Sequence, residues 1–393
     1  METLSGSVSS ALNTRRTYES DSTDSAGSCK GMKVVIKIGS SSLTRADGGI
    51  DHNAISQLCT DVAAVVAQGH QPIVVSSGAV AAGVGAVGLE ARPTDLETLQ
   101  AVSAVGQSRL MGVYDDELAS HGLVGAQVLL DPLDFVHRGQ YLHARKTLER
   151  LLALRCVPVV NENDAIASSE LRYGDNDRIA ALIAHSLNAD LLVLLTDLDG
   201  LYTSDPRVSN DAKLVQIVSA DDPLLSIQAS TSKSGVGSGG MASKLIAARI
   251  ASWSGVRTVI ANAQREGVVA AILGGEQIGT TFEAHRRTLT ARKLWIAFAA
   301  ETSGRIVVDE GARSALTTKN TSLLPAGVIG VEGVFDSGAT VDIVGADGVV
   351  FARGMSAISA AQLRDVVGMQ TSALPLGMHH EVVHRDDLVV LPT

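Results

Sequence analysis

The sequence predicts an α/β fold, a mostly parallel central sheet sandwiched by helices, followed by a small β-rich C-terminal domain. Three observations predict it. From Met32 to about Ala261, short apolar runs alternate with helical patterns of ten or more residues, the spacing of βαβ units. The unusual polar residues fall just after the apolar runs, at the carboxyl ends of the strands, where parallel sheets form their sites. After roughly Arg292 the texture changes to short strands divided by glycine turns.

A length of 393 residues calls for more than one core, and 45% apolar against 19% charged residues is enough to bury them. A net charge of −10 and only 3% aromatics argue against a chain whose main work is gripping nucleic acid or an anionic membrane. No apolar run reaches the ~18 residues of a membrane span. Cys29, Cys59 and Cys156 make neither a CxxC nor a zinc spacing, which suits a reducing, cytoplasmic compartment.

Taken in order, Met1–Gly31 is Ser/Thr-rich and unperiodic, so a disordered tail is expected. Arg15-Arg16 is followed by no apolar export segment, and Met32 offers an alternative start. Met32–Ile38 reads as a buried strand running into Gly39-Ser40-Ser41-Ser42. Asp51 caps a helix from about His52 to Gln68, which Gly69 closes. Gln71–Ser76 is the next strand and ends at Ser77-Gly78; a long helix lies within Leu96–His121. Leu123–Leu130, Val157–Asn161 and Leu191–Thr196 are strands, with helices at Tyr141–Ala153 and Arg178–Leu187. An Ala-rich helix, Met241–Ser254, precedes the strand Arg257–Ala261. The expected domains are 32–291, which should own its core, and 303–393, with 292–302 as a linker. The C-terminal part reads as short strands (GRIVVDEGA, GVIGVEGVF, GATVDIVGADGVVFARG, HRDDLVVL) and carries six basic against ten acidic residues.

Four constellations carry chemistry. Lys37 stands in an otherwise apolar strand, and a buried ammonium needs a partner or an anion; an exposed edge strand is the competing reading. Gly39, two residues on, lets backbone N–H groups approach a phosphate. The run Gly235-x-Gly237-Ser238-Gly239-Gly240-Met241-Ala242-Ser243-Lys244 enters a helix, as a polyphosphate cradle would, and competes with a mobile linker. It lacks a Walker ending. GxGxxG occurs both there and at Gly83–Gly88, in neither place opening the first βαβ unit, which excludes a Rossmann site. Asn161-Glu162-Asn163-Asp164 and Gly174-Asp175-Asn176-Asp177 offer amides and carboxylates that suit a zwitterion, although a turn and a helix cap would use the same residues. Ser77-Gly78-Ala79 can present N–H groups to its carboxylate. Thr196-Asp197, with the run from Gly200 to Pro206 behind them, suit a nucleotide base and ribose. His379, His380 and His384 lie in no helical pattern and read as surface histidines, not as a metal site. Two lysines, two glycine loops and several carboxylates without a metal cage describe phosphoryl transfer.

In order along the chain, VVIKIGSSSL, VVSSGAVAAG, AVGQSRLM, PVVNENDAIA, YGDNDRIAA, LLTDLDGLYTSDPR and GVGSGGMASKL resemble the amino acid kinase family, and within it the glutamate 5-kinases with an appended PUA domain. The resemblance runs from about Met32 to the C-terminus, through VDEGA and HRDDLVVL. It implies phosphorylation of the L-glutamate side-chain carboxylate by ATP with Mg²⁺, the metal carried by the nucleotide and not by protein ligands. The product would be L-glutamyl 5-phosphate, passed to glutamyl-phosphate reductase in proline biosynthesis. A homo-oligomer (dimer or tetramer) and feedback inhibition by L-proline are implied as well. By position, Lys37 and Lys244 match the catalytic lysines, with Asp177 orienting them and Asp175 beside it. Ser77, Gly78, Asn161, Asp164 and Asn176 match the glutamate side; Lys37, Gly39, Thr196, Asp197 and Ser238 through Lys244 match the ATP side. Ser41 and Ser238 stand where the family often has Thr, and Arg172 where some members have Lys. Kinases acting on acetylglutamate, carbamate or a nucleoside monophosphate are the alternatives; RNA binding is disfavoured by the acidic C-terminal domain.

Overall fold

The computed structural model describes residues 31–45, 48–135, 137–166, 176–225, 239–286, 289–299, 302–375 and 377–391. Residues 1–30 of the expected disordered tail, Asp175 and Ser238 lie outside them. In the first part of the chain the elements are β1 (Lys33–Ile38), α1 (Ser40–Leu43), α2 (His52–Ala67), β2 (Gln71–Val75), α3 (Ala79–Val84) and α4 (Leu96–Ser120). Then come β3 (Val124–Leu130), α5 (Arg138–Ala153), β4 (Cys156–Glu162), α6 (Asn176–Leu187), β5 (Leu191–Thr196) and the short β6 (Ile217–Val218). α7 (Gly239–Trp253), β7 (Arg257–Asn262), α8 (Val268–Leu273), β8 (Thr280–Phe282) and α9 (Ala291–Leu294) complete this half.

Eight strands form one sheet in the order β3-β4-β2-β1-β5-β7-β8-β6. Its pairings are parallel except β7 with β8. Both faces are covered, and the period-two alternation of β1 shows how. Val34, Ile36 and Ile38 pack with α2, α4 and α8, whereas Val35 packs with α5, α6 and α7. Lys37 shares the parity of Val35, so its side chain leaves the strand on the α6/α7 face. The predicted cap does its work, Asp51 accepting from Asn53 N at 3.0 Å to start α2; at the start of α4 Asp95, which the sequence reading did not single out, accepts from Thr98 N at 2.9 Å.

α3 and α4 cross with almost no space between backbones. A Cβ on Gly106 would lie 1.8 Å from Ala79 O, and one on Gly83 2.0 Å from Val102 O. Only glycine fits either place. The crossing draws α4 against the turn at Ser77-Gly78, where Gly78 has φ 103° and opens α3.

The later residues form a five-stranded sheet in the order β10-β9-β11-β12-β13, where β9 is Gly304–Val308, β10 Val328–Gly333, β11 Thr340–Val344, β12 Val350–Met355 and β13 Leu388–Val390. Two helices were not anticipated there. α10 (Glu310–Lys319) starts inside the motif VDEGA, where Asp309 accepts from Ala312 N at 2.7 Å, and α11 (Ala360–Val366) starts at a Ser359/Gln362 capping box.

Of the segment expected to be a linker, residues 292–299 are helical and 294–298 are buried. After α9 a π-helical stretch, Trp295–Ala299, buries Trp295, Ile296 and Phe298. Val389 and Leu391 pack into the same core. Arg353 ties the two parts further, donating to Asp342 Oδ1 and to Ala297 O, each at 2.8 Å, and Arg292 pairs with Asp387. The α/β half therefore does not own its whole core. Apolar sequence near Trp295 needed a cover, and residues about ninety positions later provide it.

Candidate active site

The strand parity that sends Lys37 toward α6 and α7 brings three predicted charges together. Lys37 Nζ lies 2.6 Å from Asp177 Oδ1, and Lys244 Nζ lies 3.4 Å from Asp177 Oδ2. All three are buried, at 4%, 6% and 3% exposure for Lys37, Lys244 and Asp177. Ser243 Oγ donates to Asp177 Oδ2 at 2.5 Å, and Lys244 Nζ also reaches Gly240 O at 3.4 Å. Burial alone would push the Asp177 carboxyl up, but Lys37, Lys244 and the hydrogen bonds from Lys37 and Ser243 together hold it below the usual carboxylate value. Among the described residues, two ammonium groups meet one carboxylate in this dry place, an arrangement suited to a polyanion. A Cβ on Gly39 would stand 3.4 Å from Lys37 Nζ, in contact with the ammonium.

On the other side of α6 a neutral network forms. Asn176 Nδ2 donates to Ser77 Oγ at 3.1 Å and to Asn161 Oδ1 at 3.0 Å, while Glu162 N donates to Asn161 Oδ1 at 2.9 Å and Asn176 Oδ1 at 3.1 Å. Asn161 Nδ2 donates to Gln107 Oε1 at 2.7 Å, and Ser103 Oγ to Asp164 Oδ2 at 3.0 Å. Burial pushes the Asp164 carboxyl up, against the hydrogen bond from Ser103 and the charge of Arg92. Ser77, Gly78, Asn161, Asp164 and Asn176 all line one open pocket of about 870 Å³, with Arg92 and Arg109 on its rim. Asn176 and Asp177 are neighbours at the start of α6, one in this network and one between the lysines. That adjacency joins the two halves.

Not every candidate joins this cluster. Thr196 Oγ1 donates to Asp197 Oδ1 at 3.0 Å, but Asp197 lines a separate cavity of about 330 Å³ with Ser41, Ser42, Asp61 and Gln264. The Met241 side chain is packed in the core beside Leu245, so only its backbone can face a ligand. Gly239 and Gly240 begin α7, and Ala242 follows in its first turn. Ser103 and Gln107 were not singled out. Their signal lay in AVGQSRLM together with the serine just before it: Ser103 and Gln107 are polar residues four apart, on the stripe of α4 that otherwise carries Leu99, Val102, Gly106 and Leu110.

The model of the amino acid kinase family matches residues 32–262, and that of the PUA domain matches residues 304–374. The chain belongs to the amino acid kinase family. Its likeness to curated members extends over nearly the whole length. It is 45% identical to the glutamate 5-kinase of Thermobifida fusca across 91% of this chain and 93% of that one. With the glutamate 5-kinase of Myxococcus xanthus it shares 46% across 91% and 96%, and with that of Pelobacter propionicus 42% across 91% and 97%. As an amino acid kinase the chain uses ATP as a substrate.

Proposed function

We propose that this protein transfers the terminal phosphoryl group of ATP to the side-chain carboxylate of L-glutamate, yielding ADP and L-glutamyl 5-phosphate, the opening step of proline biosynthesis. The observation that carries the reading is the junction at α6: a lysine–aspartate–lysine cluster for phosphate sharing one helix start with a polar pocket of a size to admit an amino acid. Kinship with glutamate 5-kinases over more than nine-tenths of the chain selects glutamate among the amino acids.

Both reactants are anions, so the chief obstacle is mutual repulsion. A carboxylate oxygen of glutamate attacks the γ-phosphorus, the bond to the β,γ-bridging oxygen breaks, and ADP departs. The nucleophile is already ionised at neutral pH, so no base is needed to activate it. Lys37 and Lys244 supply fixed positive charge where negative charge gathers, and Asp177 holds the two ammonium groups from spreading apart. The start of α7 and its Gly239-Gly240 pair offer N–H groups to the triphosphate. Asp164 receives the α-ammonium of glutamate, and Ser77 with Gly78 faces a carboxylate. Mg²⁺ fits as a companion of the nucleotide. Asp177 is committed to two ammonium groups, and triphosphate oxygens would hold the ion.

An acyl phosphate is a reactive mixed anhydride, which suits prompt hand-over to a glutamyl-phosphate reductase in the cytoplasm. Feedback by L-proline and assembly into a dimer or tetramer belong to the same reading. Among the described residues no helix is long and apolar enough to cross a membrane. The test is ADP release from L-glutamate, N-acetylglutamate, aspartate, carbamate and UMP, each titrated at saturating MgATP. Glutamate should give the highest kcat/KM; faster turnover of acetylglutamate would overturn the assignment.

A further inference from the structure

The hydrogen-bond polarity of the substrate pocket is fixed by one backbone group. A peptide N–H can only donate, and that of Glu162 lies between Asn161 Oδ1 (2.9 Å) and Asn176 Oδ1 (3.1 Å), so both amide oxygens must face it. With its oxygen so placed, Asn176 points both amide protons away, one to Asn161 Oδ1 and one to Ser77 Oγ. Ser77 is thereby an acceptor toward Asn176, which leaves its own proton for a group on the pocket side. Asn161, turned the same way, needs an acceptor for Nδ2, and Gln107 Oε1 provides it at 2.7 Å. One turn earlier on the same face of α4, Ser103 donates to Asp164 at 3.0 Å. The helix can reach because Gly106, lying between them, lets it touch the backbone of α3.

We infer that Gln107 and Ser103 are positioning residues for the amino acid substrate: they hold Asn161 and Asp164 from behind, and the polarity they enforce makes Ser77 a hydrogen-bond donor to a substrate carboxylate. This rests on the reading that the pocket takes glutamate. A relay of this kind acts on the amino acid alone. It touches neither lysine and neither glycine of the phosphate loop. If Gln107 served only to satisfy a buried amide, its loss would lower the melting temperature and leave both substrates equally bound.

Steady-state kinetics on Gln107→Met, Gln107→Glu and Ser103→Ala, with melting curves, decide the matter. Gln107→Met keeps the length and removes the acceptor; Gln107→Glu restores an acceptor to Asn161. Glutamate KM should rise about ten-fold in Gln107→Met and in Ser103→Ala, with ATP KM within two-fold and kcat within three-fold of wild type. Gln107→Glu should recover most of the lost glutamate affinity. A glutamate KM within two-fold of wild type in both Gln107→Met and Ser103→Ala overturns the inference, as does a parallel rise in ATP KM. Gln107→Glu no better than Gln107→Met would show that the acceptor is not what matters, and overturns it too. Should Gln107→Met melt below the assay temperature, Ser103→Ala, which removes one oxygen, carries the decision alone. Glutamate turnover by the wild type tests the underlying reading, and only ratios to wild type test the relay.

Discussion

Two carboxylates at the two ends of the site have opposite fates. Asp177 is more deeply buried than Asp164, yet its carboxyl is held low, because two lysines and a serine meet it. Asp164 is only partly buried, yet its carboxyl is pushed up: burial there outweighs one serine and the more distant charge of Arg92. The first is a carboxylate that two ammonium groups of the fold surround. The second is one whose ionised form gains from an arriving cation, such as an α-ammonium group. On the proposed function, the carboxyl held low shapes the protein's own charges, and the carboxyl pushed up is the one assigned to the α-ammonium of glutamate.

The sharpest way to break that comparison is Asp177→Asn, which leaves two buried ammonium groups without their anion. Turnover should fall by roughly 10³-fold, and stability by about 3–5 kcal/mol, as when one member of a buried pair is removed. The pH dependence gives an independent reading. Because the folded carboxyl sits below its unfolded value near ~3.9, its contribution is full above that value and fades as the pH drops through the folded one. The Tm gap between wild type and Asp177→Asn should therefore close on acidification below about pH 4; a constant gap would remove the ion cluster from the account.

Lys244→Ala should come next, with kcat down roughly 10²-fold and glutamate KM little changed, since a fixed cation acts mainly on charge that develops in the transition state. Single-turnover rates at saturating substrates would check it, and a kcat within a few-fold of wild type would reduce Lys244 to a structural partner of Asp177. Asp164→Asn should raise glutamate KM about ten- to a hundred-fold with ATP KM nearly constant. Here the sign of the stability change is the sharper part. A carboxyl pushed up in the fold costs stability once ionised, so the substrate-free Asn variant should melt no lower than wild type at pH 7. A clear drop in Tm would mean Asp164 is structural after all. The smallest effect on glutamate KM should be that of Gly106→Ala, several-fold through the enforced shift of α4 and with ATP KM untouched. Its stability cost should nonetheless exceed the ~1–3 kcal/mol typical of overpacking, because the methyl meets the backbone of α3.

The charged half of the site was legible in the sequence, and the amide half only in part. Lys37 declares itself because an ammonium is conspicuous in an apolar strand, and strand parity settles which face it takes. Asp177 and Lys244 are visible as charges at helix starts. Asn161, Asp164 and Asn176 were legible as a cluster, but Ser103 and Gln107 were not, since neutral polar residues inside a 25-residue helix look like ordinary surface until the partner helix is known. The same limit explains the second sheet. Strands and glycine turns were readable there, whereas α10 hid behind a motif read as a strand end, its start marked only by Asp309. The burial of 294–298 was missed for a tertiary reason: nothing local to Trp295 announces Val389.

That late cover has a consequence in time. Trp295, Ile296 and Phe298 leave the ribosome about ninety residues before Val389 and Leu391 do. At ~5–20 residues per second the interval is roughly 5–20 s, long compared with the collapse of a chain this size. Throughout it a tryptophan, an isoleucine and a phenylalanine face water on an otherwise assembled α/β layer, a sticky patch of the sort that holdase chaperones capture. Slow translation of the codons for residues 300–390 should lengthen that exposure and raise the insoluble fraction, even though the finished protein would be identical.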